Sequence, residues 1–376
     1  MKEPYGRRCS KLLKKLRRAG CGALLVSHPV NARYLSGFPS EGAWLLVAPR
    51  RRILLTDSRF TEEAERSCPG WEIREREGSM VAAAAGEIAR VGEKAGFEAA
   101  HLSVEARDRL AGALQKAGST GAASARELKA TSGLVESLRM VKDEAEIEAI
   151  RRAARVAERA MRATLEAVSA HASEREFAVA LEYRMRSEGA EAASFPTIAA
   201  AEPTSSLPHA RPGEAAALGA SSLLVDWGAR LEGYNSDLTR VVARSKLAGR
   251  ISEIWRVVTA GQRAAVSAVK AGVRADRVDR AARKVIEDAG YGECFGHGAG
   301  HGVGLEVHEA PALSPRDRTR LRAGMVVTVE PGIYLPGVGG VRLEDMVVVR
   351  AGGAEVLTRI SRKPRSLGKR VRGGRL

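Results

Sequence analysis

The apolar positions of this chain follow two different rhythms. Through the first third, short apolar runs alternate with segments of helical spacing. Residues 10–20 place Leu12, Leu13 and Leu16 on one face, and 58–65, 80–90 and 103–117 repeat that periodicity. Between them, 22–27, 43–48, 52–56, 70–74 and 91–96 have the length and composition of strands. Strands of about six residues set between helices of about 12 predict an α/β layer. The Gly-, Ala- and Ser-rich stretch 118–124 closes it, and 129–140 reads as a connection.

A long helix should follow. Asp143 with Glu146 three residues later forms a capping-box pattern, and Ile147, Ile150, Ala154, Ala157 and Met161 mark one apolar face beyond it. Ser173 and Glu176 repeat the box before Phe177, Leu181 and Met185. The rhythm then changes. Residues 222–227 and 238–243 are strands around a glycine-bearing turn, two helices span about 252–271 and 275–289, and 325–329 and 341–349 are strands again. Strands joined by short turns predict an antiparallel sheet with helices on one side, an α+β domain. The expected division is 1–135, 136–367 and a basic, disordered tail at 368–376.

Composition narrows the function. The chain has 376 residues, 44% of them hydrophobic, enough for more than one core. No apolar stretch approaches the roughly 20 residues that span a bilayer, and no signal peptide is recognisable. Cys9, Cys21, Cys68 and Cys294 are too scattered for a disulfide framework or a thiolate metal knuckle. A cytoplasmic protein with no membrane partner is expected. The net charge is +16, and Arg359, Arg362, Lys363, Arg365, Lys369, Arg370, Arg372 and Arg375 face no acidic residue in the last 18 positions. That segment lacks interleaved aromatics and a recognition motif, so a solvated terminus is expected and no nucleic-acid partner.

Four acidic residues interrupt apolar strands and need a reason. Asp226 ends one strand and Asp237 opens the next; a turn about Leu231 and Glu232 would set them face to face. Glu330 and Glu344 would likewise face each other across a turn centred on Gly337. Buried carboxylates so close must be paired or bind metal. Nearby arginines, Arg240 and Arg342, are one answer. Histidine suggests another, because His297, His301 and His308 crowd a segment with glycine at 296, 298, 300, 302 and 304. On a flat strand His301 and His308 would point to opposite faces, so only a bend could bring both into one cavity. His209 follows Leu207 and Pro208 in a loop-like stretch. Four carboxylates and one imidazole suit a pair of divalent ions such as Mn²⁺ or Co²⁺, with Zn²⁺ a further alternative.

These residues resemble a known family. Asp226 through Arg240, Leu207-Pro208-His209, Gly296 through His308, Glu330-Pro331-Gly332-Ile333-Tyr334 and Val341 through Asp345 are similar, in order, to the motifs of the pita-bread metallopeptidases. Within them the chain resembles the aminopeptidase P and Xaa-Pro dipeptidase (prolidase) branch. Residues 31–38, 55–60 and 135–147 resemble its creatinase-like amino-terminal domain and junction. The resemblance implies an α/β amino-terminal domain followed by an α+β pita-bread catalytic domain. It makes Asp226, Asp237, His301, Glu330 and Glu344 the ligands of two divalent ions, Mn²⁺ first among the candidates. Asp237 and Glu344 take the bridging places. His209 and His308 become substrate-side hydrogen-bond donors, Glu330 a proton carrier, and Arg342 a lining residue. The implied reaction is hydrolysis of a peptide bond preceding proline, by attack of a metal-bridging hydroxide, in a homodimer. Asn235 stands where relatives commonly have histidine, and Trp227 is bulkier than usual. The competing readings are a non-catalytic pita-bread binding module and a hydrolase of the same fold with non-proline specificity. No ligand position is lost, which argues against the first.

Overall fold

The computed structural model describes residues 4–92, 94–117, 127–169, 171–217, 221–243 and 246–366. The expected tail 368–376 and the stretch 118–124 lie outside the described residues. Two compact units, Met1–Arg139 and Met140–Leu376, make up the chain.

The first unit runs α1 (Tyr5–Arg18), β1 (Ala23–Val26), α2 (Pro29–Ser36), β2 (Trp44–Val47), β3 (Arg52–Thr56), α3 (Thr61–Ser67) and β4 (Glu72–Glu75). It continues with α4 (Met80–Val91), β5 (Ala95–Glu98), α5 (Val104–Ala117), β6 (Leu128–Thr131) and α6 (Glu136–Arg139). Its six-stranded sheet has the order β4-β3-β2-β1-β5-β6. An antiparallel meander, β1 to β3, is extended by parallel strands at both ends. The connection expected at 129–140 in fact contains β6 and α6. β6 escapes pattern reading because Lys129 and Ala130 are exposed and only Thr131 is buried. Its pairing with β5 holds it, together with the bond that Thr131 Oγ1 donates to the Phe97 carbonyl at 2.8 Å.

The second unit opens on α7 (Glu144–Ala167) and α8 (Glu174–Ser187), and both capping boxes form as the sequence implies. The chain then forms β7 (Ala192–Ala193), β8 (Ile198–Ala201), β9 (Ser222–Trp227), β10 (Ala229–Leu231), β11 (Tyr234–Asn235) and β12 (Leu238–Ala243). Two helices follow, α9 (Gly249–Ala268) and α10 (Ala275–Asp288). The remaining strands are β13 (Gly300–Gly302), β14 (Glu309–Leu313), β15 (Val326–Val329), β16 (Gly332–Leu335), β17 (Gly339–Arg342), β18 (Asp345–Val349), β19 (Ala354–Val356) and β20 (Arg365–Ser366). The larger sheets are ordered β20-β12-β9-β8 and β14-β13-β15-β18-β19.

Helices cover both faces of this unit, not one as expected. Val326, Met346 and Val348 join a core with the apolar faces of α7 and α8, including Ile150, Phe177 and Leu181. Their neighbours Val327, Val347 and Val349 join another core with Ile254 and Val258 of α9 and Val278 and Ala282 of α10. Successive strand residues point to opposite faces, so an unbroken valine run means that both faces are buried. Burial of each such side chain contributes about 1.5–3 kcal/mol. No described helix is long and apolar enough to cross a membrane.

Candidate metal centre

Two hairpins bring four carboxylates to the layer between these cores. In one, β15 pairs β18 and β16 pairs β17 in a single continuous register, from Val326 opposite Val348 to Leu335 opposite Gly339. Glu330 and Glu344 therefore stand opposite each other where the hairpin passes between sheets. Their amides leave the ladder: Glu330 N donates to the Ala299 carbonyl at 2.8 Å and Glu344 N to the Thr239 carbonyl at 3.2 Å.

The other hairpin departs from expectation. Asp226 faces Thr239, and Leu238 faces Trp227, so Asp226 and Asp237 are not directly opposed. The turn is made by Glu232 and Gly233, with φ of 51° and 78°, between the paired residues Leu231 and Tyr234. Two left-handed residues in succession give the tight turn whose twist suits a hairpin. The resulting offset is two residues, which leaves both aspartates on the same face.

Glycine makes the approach of the third element possible. A Cβ on Gly300 would lie 2.1 Å from the Thr328 carbonyl oxygen, and one on Gly302 would lie 2.4 Å from that of Ala310. β13 can press against its neighbours only without those side chains. Its pairing jumps between His301, opposite Ala312, and Gly302, opposite Glu309. His308 lies in the loop before β14, so strand alternation does not govern it. The rings of His301 and His308 meet edge to face with centroids 4.3 Å apart.

A cavity of about 740 Å³ collects these groups. Asp226, Asp237, His301, Glu330 and Glu344 all line it, with His209, His308 and Arg342. Asp237, His301 and Glu344 offer ligand atoms within 4.8 Å of one another. His301 Nε2 is 3.3 Å from Glu330 Oε1 and 3.6 Å from Asp237 Oδ2. The ring's other nitrogen, Nδ1, lies 3.0 Å from the Gly302 carbonyl oxygen. A carbonyl can only accept, so Nδ1 carries a proton and Nε2 is the nitrogen presented to the carboxylates. Burial disfavours the charged ring, but Glu330 outweighs it and raises His301 above its ordinary value, so Nε2 is a place where the carboxylates hold a proton or a metal ion.

Asp226 differs from the rest. Arg342 Nη2 donates to its Oδ2 at 2.6 Å, and Arg342 also donates to Tyr334 Oη at 2.8 Å and to Thr239 Oγ1 at 3.1 Å. Arg240 does not serve this pair. It binds Asp345 at 2.6 Å and the carbonyls of Glu344 and Ile360, while Asp345 also receives bonds from Gln262, Thr358 and Arg362. The acids of the cavity are thus only partly neutralised by arginine. Burial, with Glu344, Asp226 and Glu330 nearby, pushes Asp237 well above the usual carboxylate range. Burial and the charges of Glu330 and Asp226 do the same to Glu344. Burial also opposes ionisation of Glu330, but His301 overcomes it and holds the group at about 2. Asp226 Oδ1 and Glu344 Oε1 are buried without hydrogen-bond partners. Excess negative charge, orphaned oxygens and an imidazole nitrogen turned inward fit divalent cations.

Comparison with known proteins agrees. Residues 148–351 match the metallopeptidase family M24. The chain belongs to that family. Residues 8–141 match the creatinase/prolidase N-terminal domain, so the two-part M24 architecture expected from the motifs is present. The chain is 36% identical over 351 residues to the uncharacterized peptidase YqhT of Bacillus subtilis (strain 168), covering 92% of this chain and 97% of that protein. Among solved structures it resembles an Xaa-Pro dipeptidase from Bacillus anthracis with a TM-score of 0.90 and 35% identity, over 96% of this chain and 99% of that one. It also resembles an X-Pro aminopeptidase from Thermotoga maritima MSB8 with a TM-score of 0.84 and 36% identity, over 93% and 99% of the two chains.

Several residues of this M24 site were not foreseen. Thr239 Oγ1 donates to Glu344 Oε2 at 2.7 Å, and Thr328 Oγ1 accepts from His301 N at 3.0 Å. His297 Nε2 lies 2.9 Å from the Tyr334 hydroxyl, which links it to Arg342. Asn235, one of the departures from relatives, donates to the Gly304 and Leu305 carbonyls and so pins the glycine-rich loop. Trp227, the other, is fully buried and donates to the Ala157 carbonyl of α7. Threonines in strands carry no sequence signal of such roles. Only their places opposite or beside the acids could have drawn attention to them.

Proposed function

We propose that the chain is a two-metal exopeptidase that hydrolyses peptide bonds preceding proline. The observation that carries this reading is the single cavity in which four carboxylates and Nε2 of His301 meet with too little cationic charge. Asp226, Asp237, His301, Glu330 and Glu344 would hold the ions. Mn²⁺ is the first choice for so oxygen-rich a donor set, ahead of Co²⁺ and Zn²⁺. When bound, such ions polarise a carbonyl and acidify water.

The rest belongs to the protein's own groups. Gly302 fixes the His301 tautomer, and Arg342 fixes Asp226. Glu330, beside Thr328 and His301, takes the proton released from water and passes it to the leaving proline nitrogen. His209 and His308 donate hydrogen bonds where negative charge grows on the scissile carbonyl oxygen, an interaction most valuable in the transition state. Phe195, Pro196, Pro208, Pro212 and Val307 give the cavity an apolar wall. A proline nitrogen has no N–H to satisfy in the substrate, so such a wall suits it. The same reading has the chain working as a homodimer in a reducing, cytoplasmic setting; the four free thiols fit that setting.

The test is hydrolysis of Ala-Pro and Ala-Pro-Ala by metal-stripped protein refilled separately with Mn²⁺, Co²⁺ and Zn²⁺. Cleavage restored by one or more ions, and absent for Ala-Ala, supports the reading. Equal cleavage of Ala-Ala would replace it with a broader peptidase, and no hydrolysis with any ion would favour a binding module. Light scattering reads the dimer.

A further inference from the structure

A second group of metal-binding side chains lies in the first unit and has no part in the chemistry above. His28 follows β1, His101 follows β5, and Glu136 opens α6 after β6. β1, β5 and β6 are adjacent and parallel. The three residues therefore gather beyond the carboxyl ends of neighbouring parallel strands, the end where open α/β sheets bind ligands. Each offers a ligand atom, and these atoms lie within 4.8 Å of one another. The two imidazoles stack with centroids 3.7 Å apart and planes 12° apart. His101 Nε2 is 3.3 Å from Glu136 Oε1. Glu98, His101 and Glu136 line a cavity of about 10 Å³, room for one water-sized or ion-sized particle.

The surrounding bonds hold this group in place. Glu98 Oε2 accepts from the amides of Ser27 at 2.7 Å and His28 at 2.8 Å. Asn31 Nδ2 donates to Glu98 Oε1 at 2.6 Å and to Glu136 Oε1 at 2.7 Å, while Arg139 Nη1 donates to Asn31 Oδ1 at 2.8 Å. Backbone and carboxylate are thus fixed from behind, as the supporting shell of a metal site requires. His101 is exposed, so its ring has room to open from the stack toward an incoming ion.

We propose that His28, His101 and Glu136 bind one Zn²⁺, with a fourth position left to water. Two imidazoles and a carboxylate are a donor set that zinc takes in three-ligand sites. It is softer than the four-carboxylate cavity of the second unit, so one chain would sort Zn²⁺ and Mn²⁺ between two places. The ion would fasten three loops that are far apart in sequence.

The experiment is calorimetric titration of the full chain with Zn²⁺, in Asp237→Asn/Glu344→Gln protein and in unaltered protein held in excess Mn²⁺. One Zn²⁺ per chain should bind at micromolar concentration or tighter in each. His101→Ala, and separately His28→Asn, each confirmed folded by circular dichroism, should weaken it at least about 100-fold, beyond the usual cost of losing a supporting group. If the double variant does not fold, the Mn²⁺-loaded chain decides alone. Zinc binding undiminished by His101→Ala, or no uptake at micromolar Zn²⁺, overturns the proposal.

Discussion

The two carboxylate hairpins look alike in sequence and differ in the fold. In the β15–β18 hairpin two glutamates face each other, and Glu344 keeps a buried oxygen without a partner. In the β9–β12 hairpin the aspartates are offset, and Asp226 is already paired with Arg342. Each hairpin keeps one orphaned oxygen, Glu344 Oε1 or Asp226 Oδ1, and one acid raised by its neighbours, Glu344 or Asp237. They differ in what neutralises the other acid: a titratable histidine beside Glu330, and a permanently charged arginine bonded to Asp226.

The strongest attack on this contrast is Glu330→Ala. It removes a facing carboxylate and the proposed proton path together. Activity on Ala-Pro should fall by about 10³–10⁴ in kcat, the upper range for loss of general acid–base help, with less metal retained by elemental analysis. Near-normal turnover would take Glu330 out of the chemistry.

Stability without metal should show opposite signs. Asp226→Asn leaves the buried Arg342 charge short of its partner and should cost about 3–5 kcal/mol in denaturant unfolding under chelation. Glu344→Gln removes a repelled charge and should stabilise the chelated protein by about 1–2 kcal/mol. Two losses of equal size would abolish the distinction between the hairpins. His308→Ala, which touches neither hairpin, should keep its metal yet lose about 10²–10³ in kcat; full activity would leave His308 a loop residue.

How much of this was written in the sequence depends on the turn. The Glu330–Glu344 register could be read because pairing runs unbroken on both sides of the break. The Asp226–Asp237 register was misjudged by two because Glu232, a non-glycine residue, adopts a left-handed conformation beside Gly233. Parity still kept both aspartates in the cavity. The odd spacing of His301 and His308 looked like an obstacle, but the strand ends before His308. β6 and the threonine contacts were invisible, since neither apolar rhythm nor charge marks them. Thr239→Val tests one of these: losing its bond to Glu344 should weaken metal binding about 10–100-fold, read by competition with a chelator.

The smallest effect is a pH dependence. The folded-state values of Asp237 and Glu344 are raised, so the stability they allow is complete below pH of about 4 and is lost as pH rises through those values. Glu330, held at about 2, acts in the opposite sense but only below that window. Mn²⁺ should therefore raise Tm by a few degrees more at pH 8 than at pH 5.5, on the scale of about 2–4 °C per kcal/mol. An equal shift at both pH values would mean that these acids are not the ones relieved.

Asp345 sits beside Glu344, and its carboxylate is gripped by Arg240, Gln262, Thr358 and Arg362. Arg240 also donates to the carbonyls of Ile360 and Ser361, and the amides of Arg359 and Ile360 donate to Glu158 of α7. The segment 358–362 thus clamps the strand that presents Glu344, although none of it lines the cavity. A nascent chain emerging from the ribosome already holds every proposed ligand by residue 344, yet its metal pocket cannot be locked until residue 362 has been added. Translation stopped between those points would yield a protein with a complete donor set and no fixed place to put an ion.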